Sequence, residues 1–207
     1  MSTKSSIRTP DRPLVAVLAA GRATRFGGGK LEAPCAGKPL GRWVLDAVAE
    51  AGLSPGVLVT GPGGTIAAES WHLLVNPDPA EGLGSSLAIA AREALERGAG
   101  AMLVLLADMP LVSPAYLRLL AAAPAPAASA QADGRPGVPA LLDRPLLERA
   151  AALTGDRGAG PLLAQARLFD APPGTLFDVD TREDLAQAAR ALGEAGEQSP
   201  PGPGVRR

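Results

Sequence analysis

Short apolar runs and helical stripes alternate along most of the chain. Four runs rich in Val, Leu and Ala predict strands at residues 14–20, 56–60, 71–76 and 101–108, and the first of them reads as a buried strand. Apolar residues elsewhere recur at every third or fourth position, which predicts helices at residues 40–52, 85–98, 113–123, 144–153, 159–166 and 181–192. This order is typical of a three-layer α/β fold, in which helices cover both faces of a mainly parallel, Rossmann-like sheet.

Weaker signals add two short strands and set the limits of the folded domain. Small residues at 128–132 and an apolar stretch at 176–178 predict the extra strands. The segments 1–12 and 193–207 are rich in Ser, Pro, Gly and charge, so they bury too little apolar surface to offset the entropy of ordering. We therefore expect a single folded domain over residues 13–192 between two disordered ends.

Composition narrows the class of protein. Apolar residues make up 46% of the chain, which is enough for a buried core. The net charge of -1 argues against a protein that coats nucleic acid, because neutralising phosphates needs a basic excess. The single cysteine cannot form an internal disulfide, and no charge-free apolar run approaches the roughly 18 residues of a membrane span. We expect a cytoplasmic protein that binds neither nucleic acid nor a membrane.

A glycine-rich loop follows the first predicted strand, in the stretch LAAGRATRFGGGK at residues 18–30. Such a turn offers backbone N–H groups to phosphate oxygens. It is not a Walker A loop, because Thr24 replaces the first glycine and Leu31 replaces the hydroxyl residue. It is not a dinucleotide fingerprint either, because Ala23 and Phe26 occupy the second and third glycine positions. The loop therefore belongs to a third kind of phosphate-binding turn.

The loop residues follow the pattern A-A-G-x-x-x-R-F-G-x-x-K, with G-K-P-L shortly after. Four further stretches accompany it, namely NPDPAEGLGSSL, LLADMPLVSP, GDRGAGPLL and FDVDTREDL. With these motifs the sequence resembles the molybdopterin cytidylyltransferases, within the MobA-like nucleotidyltransferases. The resemblance spans residues 14 to about 192 and implies a nucleotidyltransferase domain with the fold of the nucleotide-diphospho-sugar transferases.

Two cations and two acids are the candidates for the reaction site. A triphosphate carries about four negative charges, and Arg25 and Lys30 can stabilise them beside the loop amides. The resemblance implies that Asp108 and Asp180 hold Mg²⁺, or alternatively Mn²⁺, with phosphate oxygens completing the shell. For Asp180 an alternative role is to cap the helix that follows it. Asp178 is predicted to be structural.

Other residues are candidates for contacts with the nucleotide. The resemblance implies that backbone groups of Ala19, Ala20 and Gly21 contact the base and that Asn76 is a polar contact. Glycines around Gly84 allow a flat base or ribose to approach closely. Ser85 and Ser86 either donate to the nucleotide or cap the helix that begins there, and the sequence leaves both roles open.

The resemblance implies a particular reaction. The terminal phosphate of molybdopterin, with or without molybdenum, would attack the α-phosphorus of CTP, giving the cytidine dinucleotide and pyrophosphate. Such a phosphate is already ionised near neutral pH, so the site needs no general base. The A-A-G form of the loop favours CTP over GTP. A recipient molybdenum hydroxylase of the xanthine dehydrogenase type is an implied protein partner.

Three other functions are open at this stage. The first is a guanylyltransferase or another NTP transferase on the same scaffold. The second is a factor that delivers cofactor to a molybdenum hydroxylase without catalysing its synthesis. The third, an oxidoreductase, is disfavoured by the missing dinucleotide fingerprint.

Overall fold

A computed structural model describes residues 12–21, 25–64, 66, 68–153 and 160–197. Within these ranges the strands are β1 Leu14–Ala19, β2 Pro34–Cys35, β3 Lys38–Pro39, β4 Val57–Thr60, β5 His72–Val75, β6 Ala101–Leu106, β7 Ala127–Ala130, β8 Pro136–Asp143 and β9 Arg167–Phe169. The α-helices are α1 Arg42–Glu50, α2 Leu83–Glu96, α3 Pro114–Ala121, α4 Arg144–Ala151 and α5 Arg182–Glu197, and short 3₁₀ helices form at Pro79–Glu81 and Leu162–Gln165.

Seven of the described strands form one sheet, in the order β5-β4-β1-β6-β8-β7-β9. All of its strands run in one direction except β8, which is antiparallel to both β6 and β7. The chain moves outward from β1 to β4 and β5 on one side and then crosses to β6 on the other. The order of strands therefore reverses at β1, and open α/β sheets bind ligands at such a point.

The two faces of the sheet carry separate apolar cores because alternate residues of a strand point to opposite sides. Val15 and Val17 pack with α1 and α3 on one face, whereas Ala16 and Leu18 pack with α2 and α4 on the other. All four side chains are at most 5% exposed. This arrangement confirms the predicted three-layer α/β fold with a mainly parallel sheet.

A third, smaller core lies beside the sheet and attaches α5 to the loop after β1. Its buried members include Phe26, Cys35, Leu40 and Val179, and Ala188 of α5 completes it. The hairpin of β2 and β3 supplies part of its wall. This core is what holds the segment before α5 close to the carboxyl ends of the central strands.

Several element predictions need correction. Residues 176–178 form no strand, since Phe177 packs into the third core instead of pairing with the sheet. The helix predicted at 159–166 is a 3₁₀ helix at Leu162–Gln165, and residue 159 lies outside the described residues. Helix α5 continues to Glu197, beyond the expected domain end at 192.

The predicted disordered ends fall mostly on residues 1–11 and 198–207, which lie outside the described residues. The strand predicted at 128–132 is present as β7, shifted by one or two residues. Among the described residues, no helix combines the length and apolar character needed to cross a membrane.

We predict that Leu103→Ala on β6 destabilises the fold by about 3 kcal/mol, because the side chain is fully buried and its removal leaves a cavity. Leu73→Ala on the edge strand β5 is the matched control, since its side chain is 52% exposed. The control should change stability by less than about 0.5 kcal/mol. Urea unfolding of both variants checks this, and equal losses would contradict the assignment of the core.

Candidate active site

The candidate site lies at the carboxyl ends of β1, β4 and β6, where the strand order reverses. The loop after β1, the segment after β4 and Asp108 after β6 all emerge at this edge. A backbone hydrogen bond joins the end of β6 to β1 there, since the N–H of Ala107 donates to the carbonyl of Leu18 at 3.0 Å. The backbone topology alone therefore brings these loops together at one edge of the sheet.

Three successive glycines turn the loop after β1 back toward the sheet. Gly27, Gly28 and Gly29 have φ angles of 90°, 89° and 61°, which side chains with a Cβ rarely adopt. They bring Lys30 under the strand ends, where its side chain is only 8% exposed. The three consecutive glycines are thus required by the path of the backbone. Residues 22–24 of the loop lie outside the described residues.

Lys30 connects the acids that the sequence analysis selected. Its Nζ donates to Oδ2 of Asp108 at 2.7 Å and to the backbone carbonyl of Val179 at 2.7 Å. The same Nζ lies 3.6 Å from Oδ1 of Asp180. Residues from three distant parts of the chain therefore meet at one buried ammonium group.

The backbone fixes the segment before α5 in this position. The N–H of Val179 donates to the carbonyl of Asp108 at 3.0 Å, and the Val179 side chain is fully buried in the third core. This places Asp180 at the mouth of the site with its side chain 54% exposed. Arg25 reaches the same acid from the solvent side, with its guanidinium 3.5 Å from Oδ2 of Asp180 and its side chain 79% exposed.

The alternative role for Asp180, helix capping, is carried out by its neighbours. Thr181 and Asp184 cap α5 reciprocally. The amide of Asp184 donates to the Thr181 hydroxyl oxygen at 3.1 Å, and Oδ2 of Asp184 accepts from the Thr181 hydroxyl and amide, each at 2.8 Å. Hydrogen bonds from Thr181 and the amide of Asp180 lower the pKa of Asp184. The Asp180 carboxylate is therefore left facing Lys30 and Arg25.

Asp178 was expected to be structural, but it shares the electrostatic field of the site. The pKa of Asp178 is raised to about 6 by partial desolvation and by the negative charges of Asp108 and Asp180. The residue nevertheless remains exposed to solvent. Lys30 opposes this shift. Across the described residues, no three or more His, Cys, Asp or Glu side chains are arranged to share one metal ion.

Two adjoining cavities flank Ala20 and Gly21. One, of about 370 Å³, reaches to Lys30 and the segment after β4, and the other, of about 300 Å³, reaches to Asp108 and Ser86. Pro79 contributes to both. The residues of this lining that sequence reasoning did not select include Gly61, Pro62, Gly63, Gly64 and Pro79. The stretch TGPGG after a buried strand was a signal that could have found them.

Asn76 supports the site from within the protein. It is 2% exposed, and its Nδ2 donates to the hydroxyls of Ser85 at 2.8 Å and Ser86 at 2.9 Å. Its Oδ1 accepts from the amide of Asp78 at 3.1 Å. The side chain of Asn76 is thus occupied by protein groups, whereas Ser86 accepts from Asn76 and lines a cavity with its own O–H left to donate.

The two serines do not cap α2. The helix begins at Leu83 with Gly82 as the preceding residue, and Gly82 has a φ of 90° that favours glycine. Ser85 lies within the first turn and donates to the Gly82 carbonyl at 2.8 Å. Gly84 is buried at the same turn.

Two further polar side chains, Lys38 and His72, lie outside the site. Lys38 pairs with Asp46 and lies 3.6 Å from the ring centre of Trp43, so it is held away from the Lys30 cluster by its own partners. His72 is on the edge strand, 49% exposed and 3.4 Å from Glu93. Neither arrangement resembles a catalytic base beside a nucleophile.

The fold and the position of this crevice are typical of one class, the α/β proteins that bind a ligand where the strand order reverses. The comparisons with known proteins agree. Residues 15–171 match the MobA-like NTP transferase domain, and the chain belongs to that family.

Three curated relatives share part or most of the chain. Purine catabolism protein PucB of Bacillus subtilis is 30% identical over 84% of this chain and 95% of its own length. The bifunctional protein GlmU of Xanthobacter autotrophicus is 42% identical over 53% of this chain, which spans only 26% of that protein. A phosphoenolpyruvate guanylyltransferase of Rubrobacter xylanophilus is 36% identical over 56% of this chain and 68% of its own.

Solved structures share the whole fold. Rv0371c of Mycobacterium tuberculosis H37Rv has 28% identity and a TM-score of 0.75, covering 88% of this chain and 99% of that one. The nucleotidyl transferase Mth528 of Methanothermobacter has 25% identity and a TM-score of 0.74, covering 89% and 99%. A second structure of Rv0371c, in complex with manganese, has 26% identity and a TM-score of 0.69, covering 87% and 99%.

We predict that Thr181→Ala lowers the free energy of unfolding by about 1 kcal/mol, because α5 loses the hydroxyl that accepts from its first turn. Thr181→Ser keeps that hydroxyl and should retain most of the stability. Thermal unfolding of the two variants beside the native protein measures the difference. If the serine variant loses as much as the alanine variant, the hydroxyl is not what stabilises this helix.

Proposed function

We propose that this protein joins the CMP moiety of CTP to the terminal phosphate of molybdopterin, with or without bound molybdenum, and releases pyrophosphate. The observation that carries the proposal is the meeting of Lys30, Asp108 and Asp180 at the point where the strand order reverses. A polyanionic substrate needs a cation such as Lys30, and a divalent ion needs carboxylates such as those of Asp108 and Asp180. Family membership in the MobA-like NTP transferases supports the same class of reaction.

The loop after β1 is proposed to hold the triphosphate. Lys30 lines one cavity together with Gly21 and Gly29, and the exposed Arg25 pairs with Asp180, the acid that also lies near Lys30. Arginine offers a planar fork for phosphate oxygens, whereas lysine supplies a compact charge. Together they would stabilise negative charge as it moves to the leaving pyrophosphate.

Asp108 and Asp180 are proposed to hold Mg²⁺ or Mn²⁺. The residues present fit such an ion, because carboxylate oxygens of both acids already converge on one ammonium group, at 2.7 and 3.6 Å. Hard oxygen donors of this kind are the ligands that these ions prefer. The manganese complex of Rv0371c supports the choice of metal. When bound, the ion would neutralise charge on the phosphates.

The chemistry requires alignment more than proton transfer. A phosphate oxygen of molybdopterin forms a bond to the α-phosphorus of CTP, and the bond between that phosphorus and the bridging oxygen breaks, so that pyrophosphate leaves with the electron pair. The attacking phosphate is already ionised, so no side chain has to remove a proton. The chain's own contribution is to orient two anions that repel each other and to exclude other geometries.

Two finer features support the choice of CTP and the kind of enzyme that would receive the product. The methyl group of Ala20, only 6% exposed, narrows the space between the two cavities, which favours a pyrimidine over a larger purine. A second feature concerns the enzyme that would receive the product. The relative in Bacillus subtilis is a purine catabolism protein, and xanthine is a purine. This supports a recipient enzyme of the xanthine dehydrogenase type, to which the finished cofactor would be handed.

The deciding experiment measures pyrophosphate release with each nucleoside triphosphate, with and without molybdopterin and with Mg²⁺ present. We expect release with CTP that depends on molybdopterin, at a kcat/KM at least tenfold above that with GTP, consistent with an energy difference of about 1.4 kcal/mol. Release with GTP alone would replace the proposal by a guanylyltransferase, for which the similarity to a phosphoenolpyruvate guanylyltransferase is the favouring observation.

We predict that Asp108→Asn lowers turnover at least a hundredfold, or about 2.7 kcal/mol, because the amide cannot carry the charge that balances the metal. Asp133→Asn, in an exposed turn between β7 and β8, is the matched control and should turn over normally. Steady-state kinetics and circular dichroism of both variants test this. A normal rate in a folded Asp108→Asn protein would remove Asp108 from the metal site.

A further inference from the structure

Lys30 makes the same contacts that a divalent ion on Asp108 and Asp180 would make. Its Nζ is 2.7 Å from one acid and 3.6 Å from the other, and the Val179 carbonyl at 2.7 Å fixes it there. The Lys30 side chain is 8% exposed, so water screens its charge poorly. This ammonium is therefore a strong local competitor for cations.

The two arrangements compete, because both place a cation on the same two carboxylates. Magnesium and manganese bind carboxylate oxygens at roughly 2.1 Å. Since Nζ is 2.7 Å from Oδ2 of Asp108, an ion on that oxygen would lie at most about 5 Å from Nζ in its observed position. Two cations at that separation in a partly buried site repel strongly. Binding of the ion would therefore favour a position of Lys30 away from the acids, where its ammonium would need another anion as a partner.

The geometry points to Lys30 as a placeholder that blocks the metal site until a nucleotide arrives. The side chain stands between the two cavities: it lines the one that contains Gly21 and Gly29, and it bonds to Asp108, which lines the other. A short rotation of the side chain takes its charge from the acids to the phosphates. Metal and nucleotide binding then become coupled. Phosphates that attract Lys30 leave the two acids open to the metal ion, and a metal ion on the acids leaves Lys30 available to the phosphates.

Arg25 cannot serve the same purpose. Its side chain is 79% exposed, and within the part of the chain that the structure describes it pairs with Oδ2 of Asp180 alone, at 3.5 Å. Solvent screens such a pair, so its removal has little effect on a nearby ion. The placeholder role is thus assigned to one buried residue, and it rests on the metal assignment made above for the proposed function.

The test is direct binding of Mn²⁺ to the full chain, followed by electron paramagnetic resonance, without nucleotide. We expect Lys30→Met to bind Mn²⁺ at least tenfold more tightly than the native protein, a change of about 1.4 kcal/mol. Adding CTP to the native protein should tighten Mn²⁺ binding by a similar factor. In Lys30→Met the effect of CTP on Mn²⁺ affinity should shrink toward none.

Three variants make the result interpretable. Lys38→Met removes a lysine whose partner is Asp46, outside the site, and should leave Mn²⁺ affinity unchanged. Lys30→Gln keeps a polar donor in case the methionine variant unfolds, and it should show the same gain. Adding Asp108→Asn to Lys30→Met should abolish the gain, because the ion loses a ligand.

An unchanged or weaker affinity for Mn²⁺ in a folded Lys30 variant overturns the inference. So does a gain that persists when Asp108 is replaced, since the ion would then be bound elsewhere. These readings use no molybdopterin and no turnover. A failure of the cytidylyltransferase proposal would appear instead in the pyrophosphate assay, so the two outcomes can be separated.

Discussion

The site depends on the contact between Lys30 and the pair formed by Asp108 and the Val179 carbonyl. A carboxylate at the end of a buried strand is costly unless a cation meets it, and Lys30 meets it at 2.7 Å. The same ammonium also ties down the segment before α5. One charged group therefore balances the acid of the central sheet and orders the chain that carries the second acid.

Around this contact, burial divides the charged residues into two kinds. Lys30 is enclosed and held by three partners, whereas Arg25 is in solvent with a single long contact. An enclosed cation has a defined position and acts on its neighbours at nearly full strength. An exposed one is free to follow a substrate as it enters. The site thus combines a buried cation that has several protein partners with an exposed cation that lies mostly in solvent.

Sequence patterns were sufficient for the fold because each central strand is an uninterrupted apolar run and each helix has a clear stripe. They failed at 176–178, where Leu176 packs against the core of α1 and α3 and Phe177 packs against the core of α5. Neither residue pairs with the sheet, and periodicity cannot distinguish packing from strand pairing. Candidate charges were found because Arg25 and Lys30 lie in the glycine-rich loop, whereas Asp108 closely follows a strand and Asp180 closely precedes a helix. Their contacts were not predictable, because Lys30 and Asp108 are 78 residues apart and a chain position does not fix a side-chain partner. The roles of Ser85 and Ser86 could be separated from helix capping only once α2 was seen to begin at Leu83.

The attachment of Val179 to Asp108 also shows where the working unit ends. The match to the family domain stops at residue 171, yet the carbonyl that holds Lys30, the acid Asp180 and the helix α5 all come after it. A chain cut at that boundary would keep every strand of the sheet and the glycine turn. It would nevertheless leave Lys30 without its backbone acceptor and Phe26 and Cys35 without the helix that covers them. In this architecture the complete sheet alone does not form the candidate site, because the segment before α5 and α5 itself are also needed.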